Sequence, residues 1–362
     1  MSNKKVYVGM SGGVDSSVTA ALLKEQGFDV TGVFIKAWHP EGFPCNWKED
    51  RRDAMRVAAA LDIPFKTLDL EKEYKQEVVD YMILEYKKGR TPNPDVMCNK
   101  SVKFGGFLKF ALKEGADFIA TGHYARLKEI KSLQLKTRSY ELLEAKDKAK
   151  DQSYFLWTLT QDQLNHVLFP IGAYQKSDVR KLAEKFNLPT AVKKDSQGLC
   201  FIGKVDLKDF LRDHISPVQG EVLSESGEVI GTHDGVNLYT IGERHGFTIT
   251  KKTTHEKPLY VVAKDISRNT LVVSDKPASN TSLLISKIEL SSINWIDKPK
   301  EGKIYNARFR YHQIPEDCTV SFTKGLISLG FKKPQVGIAE GQSLVLYEGE
   351  KCLGGGVIEF AK

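Results

Sequence analysis

A chain of 362 residues has room for two or three domains, and 41% hydrophobic with 27% charged residues is ordinary for a globular protein. No apolar run approaches the ~20 residues of a membrane span, and Met1-Ser2-Asn3-Lys4-Lys5 enters a strand almost at once. No membrane partner or signal peptide is therefore expected, and the expected location is cytoplasmic. A net charge of +7 and a pI near 8.9 are compatible with a polyanionic partner but do not demand one.

Lys5-Val6-Tyr7-Val8 reads as a short strand. A helix should begin near Val14, with Val14, Val18, Ala21 and Leu22 on one face and Gly27 just past its end. Between them lies Gly9-Met10-Ser11-Gly12-Gly13-Val14-Asp15-Ser16. Two adjacent glycines keep β-carbons out of the way, so the amides of Ser11 to Val14 can turn toward one anionic group. The helix behind adds free N–H groups and the positive end of its dipole. Asp15 would repel a phosphate unless it holds Mg²⁺ or fixes the loop. The spacing is neither a Walker loop nor the G-x-G-x-x-G fingerprint. S-G-G-x-D-S after a first strand resembles the pyrophosphate loop of the N-type ATP pyrophosphatases, which split ATP into AMP and pyrophosphate. A plain Gly-Gly turn is the blander alternative.

Strand and helix keep alternating up to about residue 125. Val30–Ile35, Phe65–Leu70 and Phe118–Thr121 read as strands. Ala54–Leu61, Glu71–Lys88 and Phe104–Leu112 carry helical spacing. The fold class expected is a doubly wound α/β parallel sheet, with ligands at the carboxyl ends of its strands, where the loop, Ile35 and Gly122-His123 fall. In Arg90-Thr91-Pro92-Asn93-Pro94-Asp95-Val96-Met97-Cys98-Asn99 the two prolines argue against helix, giving a stiff turn that presents Asp95 and Cys98 at the sheet edge. The alternative is a helix connection with Asp as N-cap.

Residues 126–150 are polar and hairpin-like. Lys150-Asp151-Gln152 then leads into Ser153-Tyr154-Phe155-Leu156-Trp157, a juxtaposition suited to a nucleic acid backbone, although a charge run is usually a solvated face. Ser177–Phe186 is helical. In Asp195-Ser196-Gln197-Gly198-Leu199-Cys200 a thiol follows a glycine and the cations Lys193 and Lys194. After about residue 216 short strands take over, among them Gly220–Leu223, Glu228–Gly231, Leu238–Ile241, Leu259–Val262, Thr270–Val273 and Asn306–Tyr311. Two small β-barrels are expected, and Arg308-Phe309-Arg310-Tyr311-His312 sets guanidinium groups and aromatics on one strand, as RNA contact requires. The expected division is 1–205, 206–277 and 278–362.

Five cysteines (Cys45, Cys98, Cys200, Cys318, Cys352) lie far apart with no C-x-x-C pair, against a disulfide framework, a zinc ribbon or an iron–sulfur cluster of common spacing. No metal site is assigned. Cys318 and Cys352 have strand-like surroundings and read as small core hydrophobes; Cys98 and Cys200 sit in polar Gly/Pro loops and read as functional.

Taken together, GMSGGVDS (9–16), GRTPNPDVMCN (89–99), TGHY (121–124), KDQSYFL (150–156), DSQGLCFIG (195–203) and CLGGG (352–356) are similar, over essentially the whole chain, to the tRNA-specific 2-thiouridylase family. The resemblance implies a tRNA-uridine 2-sulfurtransferase acting on the wobble uridine of the anticodon stem-loop. It implies ATP with Mg²⁺ as substrate, no tightly bound organic cofactor, and a sulfur-relay protein or cysteine desulfurase as donor. It further implies that Cys200 carries a persulfide, that Cys98 attacks or resolves it, and that Asp95 is the general acid/base. Gly9 to Ser16 (Gly9, Met10, Ser11, Gly12, Gly13, Val14, Asp15, Ser16) with Ile35 and Gly122 would hold the nucleotide. Asn93, Pro94 and Asp95 would meet the flipped-out base, and His123, Lys150, Asp151, Gln152, Arg310, Tyr311 and Gln342 would touch tRNA. The family usually has Met where this chain has Ile35, and Trp38–Asp50 is compressed, leaving Cys45 without a role. A ligase adenylating a small carboxylate shares the loop but needs neither the two loop cysteines nor an Arg/aromatic barrel strand. A non-catalytic tRNA binder would not need Ser11–Ser16, Asp95, Cys98 and Cys200 intact.

Overall fold

The computed structural model describes residues 4–42, 46–130, 138–194, 207–251, 257–275, 284–323 and 326–361. Cys45 and Cys200, with the readings attached to them, lie outside these residues. No helix among the described residues is long and apolar enough to cross a membrane.

The first layer is built from strands β1 (Lys5–Gly9), β2 (Asp29–Lys36), β3 (Phe65–Asp69) and β4 (Phe118–Ala120). With the short Val167–Leu168 strand they form a parallel sheet in the order β3-β2-β1-β4-(167–168). Val6 and Val8 of β1 and Val33 of β2 are fully buried, as expected of strands covered on both faces. The chain winds from β1 to one side through β2 and β3 and to the other through β4. The switch point of the sheet therefore lies between the carboxyl ends of β1 and β4, where Val8 pairs with Ala120. Helix α1 (Val14–Glu25) follows β1 directly and buries Val14, Val18, Ala21 and Leu22. Gly27 stands past its end, where the sequence placed it, at φ +85°, a left-handed conformation. Helix α2 (Trp47–Ala60) follows β2.

Pro94 begins a helix where the sequence argued for an extended turn. Asn93 is the N-cap, its side chain accepting the Val96 amide at 3.2 Å, and the helix continues through a π-helical stretch (Cys98–Phe107) to Lys113. A proline in the first helical turn loses no intrahelical bond, because that N–H has no partner there anyway.

From Gly220 onward the described residues are mainly β. Strands Gly220–Leu223, Val229–His233, Phe247–Ile249, Tyr260–Asp265 and Thr270–Ser274 make a five-stranded sheet. Leu238–Ile241, expected as a strand, is a 3₁₀ turn and coil instead, its Thr240 amide bonded to the Glu243 carboxylate at 3.0 Å. Six further strands between Ile285 and Ala361 close into a barrel through the pairing of the first (Ile285–Trp295) with the last (Lys351–Ala361). A hairpin of the first region, β5 (Ala125–Ile130) and β6 (Ser139–Glu144), extends this barrel's sheet by pairing Leu142 and Leu143 with Cys352 and Lys351.

Candidate active site

Gly9 to Ser16 turns at the switch point. Met10 still follows the sheet, its amide donating to the Val33 carbonyl at 2.8 Å. Gly12 takes φ +76°, and a β-carbon there would run into the Asp50 carbonyl of α2. Gly13, the N-cap of α1, has no side chain to satisfy the first amides of the helix. The loop's own hydroxyls fill in with long bonds. Ser16 Oγ accepts the Ser11 amide at 3.2 Å, and Ser11 Oγ accepts the Gly13 amide at 3.4 Å. A charged oxygen would be a stronger acceptor for these amides.

Asp15 does not point into open space. The Lys176 ammonium donates to both its oxygens at 2.7 and 2.9 Å, and the Tyr124 hydroxyl donates to one at 2.9 Å. Of the roles the sequence left open for it, fixing the loop is the one these contacts show. Gly122 lets the β4 turn press on α1, since a β-carbon there would lie 2.8 Å from the Ser16 amide nitrogen. Ile35 sits partly buried near the carboxyl end of β2, in register with Leu68.

The helix beginning at Pro94 links this loop to a second cluster. Its Phe107 is fully buried behind Gly9, and its Lys103 ammonium faces His123 Nε2 at 3.4 Å. At its N-terminus Asp95 is largely shut off from water. That desolvation raises its pKa, and the Lys103 cation only partly offsets it. Near Asp95, the Tyr311 ring lies tilted against Phe155 with centroids 4.5 Å apart, and Phe155 packs edge-on against Tyr154. Burial, and then the charges of Asp151 and Asp95, push the Tyr311 phenol up to about 12, so it remains a donor. The 90–95 stretch is where the three regions meet. Thr91 Oγ1 lies 3.1 Å from Thr240 Oγ1 of the central β region, and its amide donates to the Glu340 carbonyl of the C-terminal region at 2.8 Å.

Several residues expected to touch tRNA make contacts within the fold. His123 is 7% exposed, with Thr121 Oγ1 2.7 Å from Nδ1; burial drives its pKa well down, so the ring is neutral. Asp151 is 4% exposed and accepts from the Ala145 amide at 2.8 Å, Ser153 Oγ at 2.8 Å and Arg308 at 3.3 Å. Gln152 brackets the Tyr124 backbone, accepting its amide at 3.0 Å and donating its own to the Tyr124 carbonyl at 2.8 Å. Gln342 donates to the Thr91 carbonyl at 2.9 Å. Arg310 is not on a strand, because its strand (Ile304–Arg308) has already ended. Its guanidinium donates to the carbonyls of Ile241 and Gly337 at 2.7 and 2.5 Å, tying a turn of the central region to a loop of the barrel. Lys150 is half-buried and Tyr311 is 37% exposed.

Cys98 lies in the helix and is 4% exposed, packed in the core rather than displayed on a polar loop. It falls one helical turn after Asp95, on the same face. Cys318 and Cys352 are buried strand thiols, as read from the sequence, and desolvation pushes each up to about 12.

Sequence reasoning missed Lys176, Tyr124 and Lys103. Lys176 left one trace, since a cation at the first position of a helix opposes the dipole and so calls for an anion beside it.

A glycine-rich anion cradle at the switch point of a parallel sheet, opening onto a helix N-terminus, defines a nucleotide-activating α/β enzyme carrying two β domains. Residues 4–204 match the family model described as "tRNA methyl transferase HUP domain". Residues 208–275 match "tRNA methyl transferase PRC-barrel domain" and 285–358 "Aminomethyltransferase beta-barrel domain". The chain is 45% identical to the tRNA-specific 2-thiouridylase MnmA of Nitrosomonas europaea, covering 99% of both chains. It is 45% identical to that of Lacticaseibacillus paracasei over 99% of this chain and 95% of the other, and 46% identical to that of Shouchella clausii over 98% and 96%. The chain belongs to the tRNA-specific 2-thiouridylase family.

Proposed function

We propose that this protein activates the wobble uridine of a tRNA with MgATP and replaces its O2 by sulfur, giving 2-thiouridine. The observation that carries the reading is the helix starting at Pro94. One rigid element brings an acid/base, Asp95, and a thiol, Cys98, to one end while its body packs against the phosphate loop through Phe107.

The uracil enters between Asn93, Asp95 and the Phe155–Tyr311 pair, where an extruded base gains stacking and edge contacts. Asp95 removes the N3 proton, so O2 becomes the nucleophile toward the α-phosphate. The O2–P bond forms and pyrophosphate departs into the amides of Ser11 to Val14. Mg²⁺ arrives on the nucleotide and offsets the phosphate charge. The terminal sulfur of a Cys200 persulfide then attacks C2. Cys98 attacks the inner sulfur, forming a Cys98–Cys200 disulfide, and the released electron pair makes C=S as AMP leaves with the original oxygen. In the rival order, Cys98 first frees sulfide from the persulfide, and sulfide attacks C2. Tyr311 is the proposed tRNA contact most open to solvent, and the overall charge of +7 suits the polyanion.

The test is mass spectrometry of tRNA nucleosides after incubation with ATP, Mg²⁺ and a persulfide source. Wild type should yield 2-thiouridine. Cys200→Ser should yield none while tRNA adenylation persists; wild-type 2-thiouridine from that variant would remove the persulfide from the scheme. Under the resolving order, Cys98→Ser should trap a tRNA–Cys200 persulfide adduct.

A further inference from the structure

Asp15 raises an electrostatic problem that the loop alone does not solve. It stands in the first turn of α1, beside the amides proposed to receive pyrophosphate, and an uncompensated carboxylate there would repel that ligand. Two groups distant in sequence answer it. Lys176 meets both carboxylate oxygens at 2.7 and 2.9 Å, and Tyr124 meets one at 2.9 Å. Both partners are themselves held. The Lys176 backbone amide donates to Asp147 at 2.9 Å, and its helix (Lys176–Lys185) packs Val179 and Ala183 in the same core as α1. Tyr124 is 2% exposed, with its backbone bracketed by Gln152. The Lys176 side chain is 13% exposed, against 32% for Asp15, so the ammonium is sheltered while the carboxylate keeps one side open to solvent.

We propose that Lys176 is a positioning residue for nucleotide activation: it holds Asp15 in place and cancels its charge, so that the loop attracts rather than repels the polyphosphate. Lys176 acts through Asp15 and not on the phosphate itself. The proposal rests on the loop being the ATP site, and wild-type protein that fails to bind ATP would refute that reading before this one is reached.

The experiment is calorimetric titration of full-length protein with MgATP and with metal-free ATP, with melting temperature and tRNA binding followed in parallel. Lys176→Met should weaken ATP binding by roughly tenfold or more, because a like charge is left facing the ligand. Lys176→Arg should stay within about threefold of wild type, since a guanidinium also neutralises the carboxylate. The double variant Asp15→Asn/Lys176→Met, neutral on both sides, should recover to within about threefold. If Lys176→Met does not fold, Lys176→Gln takes its place. Unchanged affinity in the single variant would overturn the proposal. So would a double variant no better than the single, because Lys176 would then be contacting phosphate directly.

Discussion

Asp95 holds a carboxylate where water is scarce, and its chemistry follows from that setting. Its pKa is raised by desolvation, only partly opposed by Lys103. The folded state therefore takes up this proton at a higher pH than the unfolded chain does, and stability falls as pH rises through that window. Asp95→Asn removes the charge from the site. We expect a melting temperature at pH 7 no lower than wild type, together with single-turnover thiolation slower by about 10²–10⁴-fold. In the wild type the acid limb of the rate profile should be displaced upward from that of an ordinary Asp, because the ionised form is the base. The buried thiols provide a contrast. Cys318 and Cys352, both pushed up to about 12, should resist alkylation at pH 8 in the native protein and react only on unfolding, as mass mapping of carbamidomethylated peptides would show.

At the scale of elements, the sharpest local requirement is the turn from β1 into α1. Gly12 sits at φ +76° with the α2 backbone against it. An alanine there carries a backbone penalty of about 1–3 kcal/mol before any clash is counted. Gly12→Ala should lower the melting temperature and weaken ATP binding together, since α2 must move or the turn must open. The helix from Pro94 shows the converse, a local rule read in the wrong direction. Pro92 and Pro94 do break the chain's previous direction, but Pro94 breaks it by starting a helix. The resulting frame brings Asp95 and Cys98 to one face and buries the thiol. An i,i+3 spacing becomes a shared face only once the segment is known to be helical.

Across the whole molecule, the three regions are stitched around residues 90–95. Arg310 is one of the stitches, and its two bonds to backbone carbonyls are charge-assisted, each of about 1.5–3 kcal/mol when buried. Arg310→Ala should therefore loosen the seam between central region and barrel, seen as faster limited proteolysis and a lower melting temperature. Its tRNA affinity should fall with the slope of log K against log salt unchanged. A slope smaller by about one would instead mark Arg310 as a direct phosphate contact. Full-length affinity should itself fall steeply with salt in filter-binding assays, as expected for a protein of net charge +7 on a polyanion.

The sequence alone determined the parallel sheet, the strand–loop–helix around Gly12-Gly13, the helix end before Gly27 and the change to β structure after residue 216. Each of these depends on periodicity or on backbone freedom within a few neighbouring residues. The tertiary structure decided which polar side chains face one another. Asp15 and Lys176 are 161 positions apart, and Gln342 and Thr91 are 251 apart. Nothing local marks such pairs, because a charged side chain looks the same in sequence whether it meets solvent, a ligand or a buried partner. Among the residues expected at the tRNA, His123 and Asp151 are buried and Arg310 bonds two backbone carbonyls, contacts that arise only when distant segments pack.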